Sequence, residues 1–148
     1  MHLRRMLCVP VILLGAAGFA AAQASSANVE DIRGVERAIG YYFGGGADTA
    51  AFRRGFHPDF KMQFIGGDGS LQTVTIDQWV QRMARAPANP AGPPLKRWIA
   101  SMDITGNAAS VRAIADGPDV QLVDYINLLK IDGEWKIMHK IFTRIDKD

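Results

Sequence analysis

Two runs rich in apolar positions within Val120–Ile145 flank Asp132-Gly133. Asp-Gly between such runs is the residue pair of a two-residue type I′ hairpin. That turn predicts a register in which Lys130 faces Trp135, Leu128 faces Ile137, Ile126 faces His139 and Asp124 faces Ile141. Alternate side chains then sort onto two faces. One carries Asp124, Ile126, Leu128 and Lys130 with Trp135, Ile137, His139 and Ile141. The other carries Val123, Tyr125, Asn127, Leu129 and Ile131 with Lys136, Met138, Lys140 and Phe142. Both faces are too apolar for water, so the hairpin belongs inside a larger sheet.

Upstream, Val29, Ile32, Val35, Ile39 and Tyr42 recur at helical spacing between Ser25 and Phe43, with Asn28 as expected N-cap and Gly44-Gly45-Gly46 as the stop. Asp48 caps a short helix running through Phe52 to Phe56, ended by Pro58. Phe60–Ile65 and Leu71–Thr75 read as a hairpin around Gly66-Gly67-Asp68-Gly69. Thr75 and Gln78 form a capping box for a helix with Ile76, Trp79, Val80 and Met83 on one stripe. Prolines 87, 90, 93 and 94 impose a stiff loop. Arg97–Thr105 reads as a strand with Trp98, Ala100, Met102 and Ile104 on one side, and Ala108–Ala115 runs back from Gly106-Asn107. Consecutive antiparallel strands preceded by helices give an α+β layer fold, a curved antiparallel sheet wrapped around three helices of the N-terminal half. Such a sheet leaves an open-mouthed pocket.

The N-terminus alters the compartment. Arg4 and Arg5 precede an apolar run from Met6 to Ala22 that ends in small residues, the layout of a cleavable signal peptide over residues 1–24. The run falls short of the ~20 residues a spanning helix needs. A single domain over 25–148 in the periplasm or outside the cell is the expectation, with general and twin-arginine export both open. At 48% hydrophobic and 22% charged the composition suits one cored domain. Losing Arg4 and Arg5 from 17 basic residues leaves 15 against 15 acidic ones, so no basic footprint remains for nucleic acid or an anionic membrane. Cys8 lies in the leader, which leaves the rest of the chain without disulfide, thiol or cysteine metal site.

Several stretches resemble the nuclear transport factor 2-like superfamily, and within it the putative lumazine-binding family: Val35–Phe43, Phe56-His57-Pro58-Asp59, Asp124–Lys130 and Asp132–Phe142. The resemblance implies a cone-shaped, cystatin-like roll with a pocket, akin to ketosteroid isomerases and SnoaL-type cyclases. It implies no particular chemistry, because the superfamily holds isomerases, dehydratases, cyclases and binders.

The residues themselves point to Asp124 and His139 as the candidate catalytic pair. In the expected register they are diagonal neighbours, roughly 6–8 Å apart at Cβ, where His could move a proton and Asp orient it. Paired burial for hydrogen-bond satisfaction is the simpler meaning of the same two residues. Tyr42, Trp79, Met83 and Trp98, with Ile126, Leu128 and Trp135, are the expected ligand-lining side chains, and core packing is the default for each. His57 and Asp59 read as a helix stop. Tyr125 beside Lys140 reads as a cross-strand pair, and with Val123, Leu129, Met138 and Phe142 it suggests a homodimer contact through the sheet. His57 and His139 are not grouped with carboxylates, so neither a metal nor another cofactor is expected. Three readings stay open: an exported binder of a small apolar or flat aromatic ligand, a cofactor-free lyase or isomerase using Asp124 and His139, and an interaction subunit with a self-filled pocket.

Overall fold

The computed structural model describes residues 17–45, 48–85 and 94–147, with side chains from Val29 onward. The chain divides into two compact units, Met1–Glu30 and Asp31–Asp148. The first is described from Ala17, where α1 (Ala17–Gly44) begins. Residues 1–16 of the expected leader, and residues 86–93 of the proline loop, lie outside the described set. Asn28 falls within α1, not at its start. The sheet and the two shorter helices belong to the second unit.

Local chemistry explains most element boundaries. Gly45 takes φ 61° after α1, a left-handed stop that glycine adopts at low cost. The Asp48 carboxylate accepts from the Ala50 and Ala51 amides at 3.0 and 2.9 Å, opening α2 (Thr49–Arg54). The capping box is reciprocal: Thr75 N donates to Gln78 Oε1 at 3.0 Å and Gln78 N to Thr75 Oγ1 at 3.3 Å, opening α3 (Ile76–Arg85). Pro58 does not end α2. It sits inside β1 (Phe56–Ile65), where the register against the neighbouring strand is interrupted between Phe56 and Lys61 and a missing donor is tolerated.

The remaining strands are β2 (Leu71–Thr75), β3 (Lys96–Thr105), β4 (Ala108–Asp116), β5 (Val120–Ile131) and β6 (Glu134–Asp146). They form one sheet in the order β2-β1-β6-β5-β4-β3. Every neighbouring pair is antiparallel except β1 and β6, which run parallel, a long-range pairing absent from the expected topology. The curved sheet stays open, with the helices in the N-terminal half, the expected α+β cone.

The core lies against the inner face of the sheet. Val35 and Ile39 of α1 and Phe52 of α2 join Phe60, Ile126, Leu128 and Ile137, all essentially inaccessible. Each such side chain contributes about 1.5–3 kcal/mol by its burial. Phe52, Phe56, Phe60 and Trp79 form a ring cluster with centroids 4.7–5.8 Å apart, the separation edge-to-face and offset pairs favour. Trp135 packs on α1 at Gly34, where a Cβ would come within 2.5 Å of the indole Cδ1. Its Nε1 donates to Asp31 Oδ1 at 3.1 Å, and Lys130 Nζ donates to the same oxygen at 2.7 Å.

Two β-bulges redirect the sheet. Asp132 (φ 51°) and Gly133 (φ 82°) form the expected left-handed turn, and Lys130–Trp135 and Leu128–Ile137 pair as predicted. Beyond them Met138 is the extra residue, so Asn127 pairs with His139, Ile126 with Lys140, Tyr125 with Ile141 and Asp124 with Phe142. One inserted residue exchanges the faces of everything after it. Ala100 does the same in β3, between the Ile99–Ala113 and Ser101–Arg112 pairs. Ile99, Met102 and Ile104 therefore pack on the core, and Trp98 is 43% exposed.

Candidate functional site

The bulge at Met138 turns Lys140 inward, opposite the expected direction, and brings it to Asp124. Asp124 is 1% exposed and Lys140 4%. Lys140 Nζ lies 2.8 Å from Asp124 Oδ1. The approach is off the line of a well-formed hydrogen bond, and among the described residues Oδ1 accepts none. The second carboxylate oxygen is better served: Tyr42 Oη donates to Asp124 Oδ2 at 2.6 Å. Lys140 Nζ in turn donates to Tyr42 Oη at 2.8 Å, closing a three-membered cycle. The ammonium also lies 4.8 Å from the Tyr42 and Phe142 ring centroids and 5.2 Å from that of Trp79, within cation–π range.

This cycle borders a cavity of about 340 Å³. Tyr42, Phe52, Met62 and Trp79 supply one part of its wall. Met83, Leu122, Phe142 and Gly45 supply another, and Arg97 and Lys140 are its charged members. The volume stands at the low end of the roughly 300–1,000 Å³ that small-molecule pockets span. Burial pushes the Lys140 ammonium below its ordinary pKa, with the Asp124 charge acting against that shift. Burial, reinforced by Asp124, holds the Tyr42 hydroxyl well above its ordinary value. Tyr42 therefore stays neutral at physiological pH and relays between a cation and a carboxylate. One ammonium proton is given to Tyr42 and Asp124 is held by charge, and as part of the cavity wall the ammonium can offer a further proton to a carbonyl or oxyanion.

Of the expected ligand-lining residues, the structure brings Tyr42, Trp79 and Met83 together around this cavity. Trp98 is turned away by the Ala100 bulge. Ile126 and Trp135 are core, and Leu128, also buried, borders a separate depression of about 440 Å³ on the outer face with Asp103, Asn127 and Met138. The Asp124–His139 pair does not form. His139 lies on the outer face, its Nε2 3.0 Å from Gln63 Oε1, because the bulge exchanged its position with that of Lys140. Tyr125 likewise faces Ile141 rather than Lys140, and Phe142 leaves the expected dimer face for the cavity wall. His57 Nδ1 accepts from the Asp59 amide at 3.2 Å, a local contact within β1 rather than a helix stop.

Lys140 and Arg97, both in the cavity wall, are not among the residues that the unbroken register points inward. The available signal was Lys140 itself, a lone cation between Ile137 and Phe142 in a strand whose partner carries Asp124. Among the described residues no group of three or more His, Cys, Asp or Glu could hold a metal ion. No described helix is long and apolar enough to cross a membrane.

The fold is that of the nuclear transport factor 2-like proteins. A structure of one such protein of unknown function from Shewanella baltica OS155 matches with a TM-score of 0.71, at 26% identity, over 80% of this chain and 97% of that one. Another from Silicibacter pomeroyi DSS-3 matches at 0.67, with 19% identity over 80% and 98%. In sequence, a protein named aldolase FrzH from Cladobotryum sp is 29% identical over 98 residues, 61% of this chain and 70% of that protein. The family model described as Putative lumazine-binding matches residues 30–143, and the chain belongs to that family.

Proposed function

We propose that the protein is an exported binder of a small, flat, largely apolar molecule, held in the cavity beneath α3. The observation that carries this reading is the cavity itself: aromatic and methionine walls around one buried polar cycle, Tyr42–Asp124–Lys140. Apolar walls with few convergent polar groups are the composition of small-molecule sites. Family membership supports the same reading. Export rests on the basic, then apolar, then small-residue order of residues 1–24. Native mass spectrometry of the exported protein is expected to show a copurified molecule that leaves on denaturation and is lost in Trp79→Ala. A protein that carries nothing, and whose tryptophan fluorescence no flat aromatic probe alters, contradicts the reading.

A second reading is a cofactor-free lyase or isomerase. A specific observation favours it: an ammonium and a neutral phenol stand 2.8 Å apart at the cavity, fit to polarise a carbonyl oxygen while Tyr42 passes a proton. The relative named as an aldolase is in keeping with carbonyl chemistry. Turnover of a β-hydroxycarbonyl probe, abolished in Tyr42→Phe, distinguishes catalyst from binder. Homodimerisation through the outer face, where Tyr125, Leu129 and Ile141 are exposed, is a further part of the proposal. Light scattering that shows a monomer at high concentration removes it.

A further inference from the structure

The geometry points to the charge of the ligand: a monoanion, with a carboxylate on a flat apolar body. This inference rests on the cavity being the binding site. Its wall contains two cations, Lys140 and Arg97, and no carboxylate. Asp124 lies behind Lys140 at 1% exposure and is paired with it at 2.8 Å. Lys140 and Asp124 cancel, which leaves the Arg97 charge uncompensated. Residues 46–47 and 86–93, outside the described set, contain no ionisable side chain.

Arg97 is available for this role. It is exposed on β3, and its one hydrogen bond to the protein among the described residues is a long one, from Nη1 to the Phe43 carbonyl at 3.4 Å. A guanidinium has five donors in a planar fork suited to a carboxylate. The remaining N–H of Lys140 adds a second donor from inside the cavity. A neutral ligand would cover Arg97 without compensating it, and covering an unpaired charge is unfavourable. A dianion would leave one negative charge against apolar walls. One negative charge balances the site.

The test is calorimetric titration of the full chain with 2-naphthoate and with the neutral 2-naphthalenemethanol. Naphthoate is expected to bind about tenfold tighter or more, the scale of one charge-assisted pair. Arg97→Gln, at an exposed position, is expected to remove most of that difference by weakening naphthoate, with the alcohol bound as tightly as before or tighter because no unpaired charge is then covered. Equal binding of both probes, or an equal loss of both in Arg97→Gln, overturns the charge assignment and leaves the cavity as a binding site. Binding of neither probe overturns both.

Discussion

Replacing Lys140 by Met tests the buried cycle through its energetics. The substitution keeps most of the apolar stem and removes the ammonium. Asp124, 1% exposed, then loses the cation 2.8 Å away and keeps only the Tyr42 hydroxyl. Removing one partner of a buried pair costs about 3–5 kcal/mol, because the surviving charge stays desolvated and unpaired. A domain of this size has about 5–15 kcal/mol to lose. At 3 kcal/mol the midpoint of thermal unfolding falls by roughly 10 °C. Asp124→Leu alone should cost as much, by stranding Lys140. The double substitution should cost only about 1–3 kcal/mol, set by the Tyr42 hydroxyl left without its partners. Urea denaturation of the wild type, both single variants and the double variant measures the coupling. A Lys140→Met variant within 1 kcal/mol of wild type, or single costs that simply add, refutes the buried pair.

Other consequences are more local. The Lys130 ammonium, then Trp135, hold the Asp31 carboxyl below its ordinary pKa of 3.8, so its stabilisation is full above that value and is lost as pH falls through the lower folded value. Asp31→Asn should therefore lower the unfolding midpoint at pH 7, with the difference shrinking below about pH 3.8; a difference constant between pH 7 and pH 2 contradicts this. Gly34→Ala should destabilise by about 1–3 kcal/mol despite the better helix propensity of alanine, because its Cβ meets Trp135 at 2.5 Å. A more stable Gly34→Ala variant in thermal unfolding would show that the indole can move aside. His139→Gln should leave probe binding unchanged, since His139 faces Gln63 on the outer side of the sheet, and weakened binding would place it at the site.

The local pattern sufficed where structure is made by neighbours in sequence. The Asp132-Gly133 turn, the Thr75–Gln78 box and the Asp48 cap each form as their residue types require. What the pattern left hidden were the two bulges and the parallel β1–β6 pairing. Met138 and Ala100 suit a regular strand as well as a bulge, so nothing at either position announces the extra residue. An unbroken register gives Asp124 the partner His139, whereas the bulge seats Lys140, one residue on, beside it. It also turns Trp98 inward, whereas the Ala100 bulge leaves Trp98 facing out. An opposite-charge pair in adjacent apolar strands was the better guide, because burial of a lone Asp124 or a lone Lys140 would be prohibitive and pairing resolves both.

Lys140 lies in the cavity wall beside Asp124 and Tyr42, and its side-chain amine can be observed directly. Among six lysines, a pH titration followed by side-chain NMR resolves each ammonium in turn. Lys140 is predicted to titrate below the ordinary 10.5 and to be the lysine whose signal shifts when 2-naphthoate is added. A Lys140 signal that titrates at the ordinary value and ignores the probe would place the side chain in solvent and contradict the site.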